Sequence, residues 1–405
     1  KTIMYPYVDK EKIELRLDAV NQFQKKFLET EQIRNALKEV YDLERIVGKV
    51  SYENANPRDL LQLKRSLNTI PTLRKLITKI GLLSQFDFKA NYKTYLEIYT
   101  LLHKSIKEDA PLVIKEGNII KDGYHAELDT LKDASLESKD FLLQLETREK
   151  ERTKIKNLKV GFNRVFGYYI EVSKGNANLV KEEYGYVRKQ TLANSERFIT
   201  EELKERETLI LRSEEKMLSL EYELFLEIRS KLKEYIPILQ SLATMIASLD
   251  MVQTFARVSL ENNYVRPKFV ATNAITIKDG RHPVIEKFIT EQSFIPNDTN
   301  MQEQDCILLI TGPNMSGKST YMRQVALIAI MAQIGCFVSA KEAQLPIFDQ
   351  IFTRIGAADD IVSGQSTFMV EMTETASILN NLSHNSLILM DEIGRGTATY
   401  DGISI

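Results

Sequence analysis

The segment from Cys306 to Ile334 constrains the fold more than any other part of the chain. An apolar run, Cys306 to Thr311, precedes Gly312-Pro-Asn-Met-Ser-Gly-Lys-Ser319, and a helical apolar pattern follows from Tyr321 to Ile334. The central eight residues match G-x-x-x-x-G-K-[ST], the P-loop pattern, in which backbone N–H groups and a helix N-terminus face a phosphate. A short buried strand, this loop and a helix predict an α/β domain with a largely parallel sheet.

The loop residues have predicted roles in binding a nucleoside triphosphate. Lys318 is placed for the β- and γ-phosphates, and the Ser319 hydroxyl is placed to ligate Mg²⁺. A glycine-rich turn without a ligand is the alternative that the pattern leaves open. The predicted nucleotide-binding residues of the loop are Gly312, Pro313, Asn314, Met315, Ser316, Gly317, Lys318, Ser319 and Thr320.

Two adjacent acids follow a second apolar run. Leu387-Ile-Leu-Met390 predicts a second buried strand, and Asp391 and Glu392 come directly after it. An acid at the end of such a strand can hold Mg²⁺ through its waters, and we assign this role to Asp391. Glu392 is then within reach of the attacking water and is the predicted catalytic residue. An ordinary strand-to-loop transition is the alternative interpretation.

Small hydroxyl residues precede a predicted helix that contains Glu371 and Glu374. Hydroxyl side chains at a helix start commonly cap the helix, and a helix start also binds anions. Both interpretations of Ser366 stay open on the residues alone.

The first half of the chain has the spacing of helices. Residues 10–150 predict a helical scaffold with a break at Asn56-Pro57, a helix opening near Asp59 and a turn at Gly81-Leu82. From 201 to 249 an apolar stripe in steps of three and four predicts one long helix with a kink at Pro237.

A small module with strand and turn chemistry lies between these helical stretches. Residues 157–173 are rich in Val, Tyr, Phe and Ile and contain Gly161 and Gly167. Between Lys154 and Arg197 there are nine basic and four acidic residues, a local net charge of +5. This composition fits a module that binds a phosphate backbone, and it equally fits a solvated charged hairpin.

Length and composition set further limits. A chain of 405 residues predicts two or more domains. Cys306 and Cys336 lie in apolar runs, which is typical of reduced core thiols, and no apolar run is long enough to predict a membrane span. The chain starts at Lys1 and stops at Ile405 inside an apolar run, so we interpret it as a fragment of a longer protein.

Taken together, the motifs resemble those of the MutS family of DNA mismatch-repair ATPases. Residues 311–320, 366–372 and 391–397 are similar, in this order, to the family's P-loop, signature segment and magnesium-binding segment. Further segments that resemble the family in order are 56–60, 160–172, 188–192, 280–284 and 354–360.

The resemblance implies a multidomain fold. It assigns a long helical core and lever bundle to 1–140, a small β-rich DNA clamp module to 141–200 and returning lever helices to 201–262. Residues 263–405 are then an incomplete α/β P-loop ATPase domain of the ABC type. The mismatch-recognition and connector domains before Lys1, and the end of the ATPase domain after Ile405, are expected to be missing.

The resemblance also implies ligands and partners. ATP and Mg²⁺ are the expected cofactors, Phe294 is expected to stack on adenine, and Ser366 to reach the γ-phosphate on the partner subunit. The expected partners are double-stranded DNA, a second subunit in a homodimeric sliding clamp and downstream repair factors, in a bacterial cytoplasm at the nucleoid, without a membrane. Turnover is expected to be impaired in the fragment. The residues expected at the DNA backbone are Lys159, Arg164, Arg188, Lys189 and Asn194.

This chain departs from the family pattern at three positions. Ala398 stands where a serine is usual, Ser339 where a proline is usual and Ala193 where a lysine is frequent. Three alternatives remain: another ATPase with helical arms, a MutS paralogue without a repair role, and a DNA-holding scaffold without turnover. Lys318 and Asp391 are only 73 positions apart with the arms upstream, which argues against the first.

Overall fold

The computed structural model describes residues 2–163, 167–289, 294–305, 307–355, 367–394 and 397–404. The chain forms two compact units. Unit 1 combines Lys1–Lys38, Thr72–Asp87 and Met245–Ile405, and unit 2 combines Glu39–Pro71 and Phe88–Thr244.

The described residues form helices and strands in the following order. The α-helices are α1 (Lys10–Lys25), α2 (Phe27–Leu37), α3 (Leu43–Ser51), α4 (Pro57–Asn68), α5 (Ile70–Ile80), α6 (Tyr92–Ser105), α7 (Ala126–Thr153), α8 (Glu201–Lys233), α9 (Ile236–Glu261), α10 (Ile285–Phe288), α11 (Lys318–Gln333), α12 (Thr367–Asn380) and α13 (Thr399–Ser404). The strands are β1 (Lys159–Asn163), β2 (Gly167–Ser173), β3 (Val187–Thr191), β4 (Ser195–Ile199), β5 (Lys268–Phe269), β6 (Ile275–Gly280), β7 (Asn297–Met301), β8 (Glu342–Leu345), β9 (Gln350–Arg354) and β10 (Ser386–Met390). Short 3₁₀ helices cover Ile114–Glu116, Lys174–Leu179 and Glu182–Tyr184.

The predicted helix start near Asp59 is confirmed, and its cause is a capping box. The Asn56 side chain accepts a hydrogen bond from Asp59 N (2.9 Å), and the Asp59 carboxylate accepts one from Asn56 N (3.1 Å). Reciprocal bonds of this kind satisfy two backbone donors that the first turn of a helix leaves unpaired. The same buried carboxylate pairs with Lys49 at 3.0 Å, which ties α4 to α3 in unit 2.

Unit 2 contains two long helices that flank a four-stranded sheet. α7 packs against α8. The segment that connects them in sequence forms an antiparallel sheet with the strand order β1-β2-β4-β3. An apolar cluster joins the ends of both helices to the sheet, with Leu145 from α7, Ile170 and Phe198 from the sheet, and Leu203 from α8. A four-stranded β module therefore lies between the two helices along the chain, and it shares its hydrophobic core with their ends.

The predicted single helix over 201–249 is wrong, because the chain breaks after α8. Glu234 and Tyr235 form a turn, and Pro237 lies in the first turn of α9 instead of kinking a continuous helix. Proline is tolerated in a first turn because its missing N–H would have no partner there. At 1.5 Å per residue α8 is about 50 Å long, shorter than the roughly 70 Å of an unbroken stretch.

Helix α9 is apolar over much of its length. Within the described part of the chain it is the one helix long and apolar enough to cross a membrane, with a mean hydropathy of 1.2. Core helices of soluble proteins pass the same test, and α9 has fully buried leucines at Leu242 and Leu249. The evidence for a membrane span is therefore weak.

The described residues of unit 1 form two small sheets, and the prediction of a largely parallel sheet holds only in part. β9 and β10 pair in parallel, but the second sheet has the order β5-β8-β6-β7, in which β6 is antiparallel to both β7 and β8. The predicted strand at 387–390 is confirmed as β10, although only Leu389 of its side chains is buried.

The predicted buried strand before the P-loop is wrong for residues 307–311; Cys306 lies outside the described residues. These residues form no strand, and Ile307 and Leu309 are 86% and 84% exposed. A strand needs a hydrogen-bonded neighbour, and β9 and β10 pair with each other instead. Of residues 307–311, Ile310 alone packs onto the cluster of Met322, Ala326 and Leu389 that joins α11 to β10.

Helix α11 confirms the helix predicted after the P-loop, and its position is fixed at both ends. Near its start, the Tyr321 hydroxyl donates to Thr299 Oγ1 on β7 (2.9 Å). At its end, the Gln333 side chain donates to Tyr7 O (2.9 Å) and Tyr7 N donates to Gln333 O (3.1 Å). The helix that starts at the P-loop lysine is therefore held firmly within unit 1.

Candidate active site and nucleic-acid interface

The backbone of the segment from Gly312 to Ser319 includes left-handed residues. Met315 and Gly317 have positive φ angles of 65° and 91°, and α11 begins at the next residue, Lys318. Left-handed residues alternating with ordinary ones turn successive N–H groups to one side, which makes a concavity for an anion. The loop residues from Gly312 to Gly317 are exposed, so the loop is open to solvent.

Lys318 lies directly against this loop. Its ammonium donates hydrogen bonds to Gly312 O and Pro313 O, both at 3.0 Å. The side chain is half-buried. Its charge is therefore held at the loop, where a phosphate oxygen would be a stronger partner than a neutral carbonyl.

The two predicted metal ligands are in contact. Ser319 in the first turn of α11 donates its hydroxyl hydrogen to Asp391 Oδ2, just beyond the end of β10. Asp391 N donates to Arg354 O (2.8 Å), which continues the parallel pairing of β9 and β10. The packing of Met322 against Leu389 holds the helix and the strand together, so the contact follows from the fold.

The donor chemistry of this pair fits Mg²⁺. A hydroxyl and a carboxylate are oxygen donors of the kind that Mg²⁺ prefers, and this ion usually takes one or two carboxylates together with water and phosphate. Among the described residues no group of three or more His, Cys, Asp and Glu side chains could hold a metal ion alone.

Glu392 has a strained backbone. Its φ is 52°, in the left-handed region that non-glycine residues seldom adopt, and its side chain is exposed. Such a conformation costs roughly 1–3 kcal/mol and persists where neighbouring contacts enforce it, often at functional sites. The predicted catalytic residue is thus held next to the Ser319–Asp391 pair in an unusual conformation.

Two of the other three predicted nucleotide-binding residues lie within the described part of the chain. Thr320 is half-buried in the first turn of α11, and Phe294 is half-buried three residues before β7 begins. Ser366 lies outside the described residues, directly before the start of α12.

Sequence reasoning missed the contacts that α12 makes with this region. Glu371 accepts a hydrogen bond from Gly394 N at 2.6 Å, and Glu374 forms an ion pair with Arg354 at 2.9 Å. The two acids are three positions apart, which places them on one face of the helix. That spacing was the available signal, but acids on a helix face are most often solvated.

The clamp sheet, defined as β1 to β4, carries the predicted DNA-binding residues that the structure describes. Lys159 on β1, Lys189 on β3 and Asn194 before β4 are exposed, and Arg164 lies outside the described residues. β3 is an edge strand with a register shift between Arg188 and Gln190, so Lys189 is at an irregularity. A β-bulge re-aims side chains and is common where a strand meets a ligand.

Part of the positive charge of the module is neutralised within it. Arg188 forms an ion pair with Glu196 at 3.0 Å, Arg197 with Glu171 at 2.8 Å and Lys181 with Glu183 at 3.2 Å. The exposed lysines at 156, 159, 174 and 189 supply further positive charge on the same module. Summing charges along the sequence therefore overstates what Arg188 can offer to a phosphate.

Comparisons with known proteins agree with this architecture. A family model described as MutS domain III matches residues 1–256, and one described as MutS domain V matches residues 308–405. The DNA mismatch repair protein MutS of Geobacillus thermodenitrificans (strain NG80-2) is 56% identical over 400 residues, which are 99% of this chain and 44% of the relative. The protein of the same name from Bacillus subtilis (strain 168) is 53% identical over 400 residues, 99% of this chain and 46% of the relative.

The chain thus spans about half the length of the curated relatives it matches. The two matched domains together cover most of its residues, and the P-loop and the acidic pair lie inside the second match. This chain belongs to the MutS family.

Proposed function

We propose that this chain is the part of a DNA mismatch-repair ATPase that binds ATP with Mg²⁺ and holds duplex DNA. The observation that best supports this proposal is the contact between Ser319 and Asp391. It joins the helix after the P-loop sequence to the strand that two adjacent acids follow. Residues 1–140 and 201–262 would form the core and lever, 141–200 the clamp and 263–405 the ATPase domain.

The P-loop would bind the triphosphate. N–H groups of the loop and the Lys318 ammonium would contact the β- and γ-phosphates, and the Phe294 ring would stack on the adenine. Ser319 and Asp391 would hold Mg²⁺, which supplies charge neutralisation at the phosphates when it is bound. In a homodimer, Ser366 would reach the γ-phosphate of the nucleotide on the partner subunit.

Glu392 would act on the attacking water. Its carboxylate would accept the water proton as the water oxygen bonds to the γ-phosphorus, and the bond to the β-phosphate oxygen would break to give ADP and phosphate. Support for this role comes from its position next to Asp391 and from its strained backbone.

The clamp sheet would contact DNA phosphates and not base edges. Exposed lysines on strands and turns, such as Lys159 and Lys189, suit a sequence-independent contact, and Asn194 adds a hydrogen-bonding group. Contacts by Arg164 and Arg188 remain predictions. As a dimer the protein would enclose the duplex as a sliding clamp in the bacterial cytoplasm and pass the signal to later repair factors.

The test is ATP turnover by the intact protein, measured as phosphate release. Glu392→Gln should keep ATP binding and lose roughly 10²-fold or more in turnover, because general-base catalysis typically contributes that much. Glu303→Gln is the matched control, since Glu303 is an exposed acid in a turn after β7. Turnover by Glu392→Gln at the unaltered rate would remove Glu392 from this role. If the unaltered protein did not bind ATP, a DNA-holding scaffold would be favoured instead.

A further inference from the structure

Helix α12 is connected to the loop that carries Glu392 by a buried carboxylate. The Glu371 side chain is only 7% exposed, and its Oε1 accepts a hydrogen bond from Gly394 N at 2.6 Å. Gly394 lies two residues after Glu392 and has a φ of 80°. The bond therefore holds the short segment in which Glu392 itself takes its left-handed conformation.

The same segment also lies close to α13. A Cβ atom at Gly394 would lie 3.0 Å from Gly402 Cα, in the backbone of α13. Position 394 thus requires glycine for its backbone angle and for space. With α13 close to Gly394 and Glu371 bonded to its N–H, the segment has little freedom to relax to an ordinary conformation.

A second acid on the same helix face contacts the strand pair below the loop. Glu374 pairs with the buried Arg354, whose carbonyl oxygen accepts the hydrogen bond from Asp391 N. Helix α12 therefore contacts the side chain of Arg354, whose carbonyl bonds to Asp391, and the backbone two residues after Glu392. Both acids therefore bond to other parts of the protein.

We infer that Glu371 is a positioning residue for ATP hydrolysis: it holds the Glu392 segment in the conformation that presents the Glu392 carboxylate to water. This inference rests on the proposed function, because it assumes that Glu392 acts on the attacking water. Since α12 begins directly after Ser366, Glu371 also links the start of this helix to the hydrolytic loop of the same subunit.

The test separates binding from chemistry in the intact protein. Glu371→Ala should lower kcat by about 10-fold or more with KM and ATP affinity nearly unchanged, because a small misplacement of a reacting group is costly. Glu371→Gln should recover most of kcat, since its amide oxygen can still accept the Gly394 hydrogen bond. Thr373→Ala is the control on the same helix, where an exposed hydroxyl donates to Met369 O one turn earlier.

Hydrogen exchange gives a second measurement that a loss of folding would not mimic. In Glu371→Ala the Gly394 amide should exchange faster, while amides in the middle of α11 exchange as before. An unchanged kcat in Glu371→Ala would overturn the inference. A loss of ATP affinity as large as the loss of kcat, together with a lower melting temperature, would overturn it as well. If Glu392→Gln instead turns over ATP normally, the proposed function has failed first, and the inference fails with it.

Discussion

Arg188 and Lys189 are neighbours on an edge strand, and an ion pair links Arg188 to the stability of the sheet. The Arg188 guanidinium lies 3.0 Å from Glu196 Oε2, and the side chains of Arg188 and Glu196 are 61% and 10% exposed. Removing Arg188 leaves a nearly buried carboxylate without its ion-pair partner. Lys189 is exposed at the register shift of β3, where its charge can serve a phosphate.

The size of the destabilisation expected for Arg188→Ala follows from the exposure of the two partners. Breaking a fully buried pair costs about 3–5 kcal/mol, and an exposed pair contributes about 0–1 kcal/mol. With one partner buried and the other in solvent, Arg188→Ala should destabilise the sheet by about 1–3 kcal/mol. Amides of β3 and β4 that open locally should then exchange roughly 10- to 100-fold faster.

Lys189→Ala should weaken DNA binding. A lost phosphate contact should lower the slope of log K against log salt concentration by about 0.9, equally for matched and mismatched duplexes. Fluorescence anisotropy over a salt series measures this slope. The double variant Arg188→Ala with Glu196→Gln should recover much of the sheet stability, because the uncompensated charge is gone.

If Arg188→Ala leaves the exchange of β3 and β4 amides unchanged and lowers the salt slope by a full unit, Arg188 contacts phosphate and its pair with Glu196 has no structural role.

Two further predictions concern buried groups of unit 1. Burial raises the pKa of the Cys336 thiol to about 12, so in a Cys306→Ser variant a thiol reagent at pH 8 should modify Cys336 only after unfolding, and rapid labelling of the folded protein would contradict this. The fully buried Ser339 hydroxyl donates to Arg281 O at 2.7 Å, so Ser339→Ala should lower the free energy of unfolding by about 1 kcal/mol in thermal or urea melts; an equally stable variant would show that this hydrogen bond contributes nothing.

Sequence patterns predicted the parts of the site that phosphate chemistry dictates. A P-loop needs particular residue types at fixed short spacing, so Lys318 and Ser319 could be assigned before any fold was known. Asp391 could be paired with them because an acid after an apolar strand has few other functions beside a P-loop. The contact between Ser319 and Asp391 is consistent with that logic.

Other features depend on partners that no local pattern specifies. The apolar residues from Ile307 to Leu309 predicted a buried strand, but burial depends on a neighbouring strand that pairs with them. The contact made by Glu371 depends on a backbone N–H at Gly394, which is 23 positions away along the chain. The role of Arg188 depends on strand register, because the β3–β4 pairing brings it near Glu196. Net charge along the sequence contains none of this information.

The most direct test of the account is ATP affinity with and without the P-loop lysine, measured by calorimetry on folded protein. Lys318→Ala should bind ATP at least ~10-fold more weakly, consistent with the loss of a charge-assisted contact of about 1.5–3 kcal/mol. Lys341→Ala is the matched control, since Lys341 is 72% exposed and pairs only loosely with Asp279 at 3.6 Å. Equal affinities for Lys318→Ala, Lys341→Ala and the unaltered protein would contradict the assignment of this loop as an ATP site.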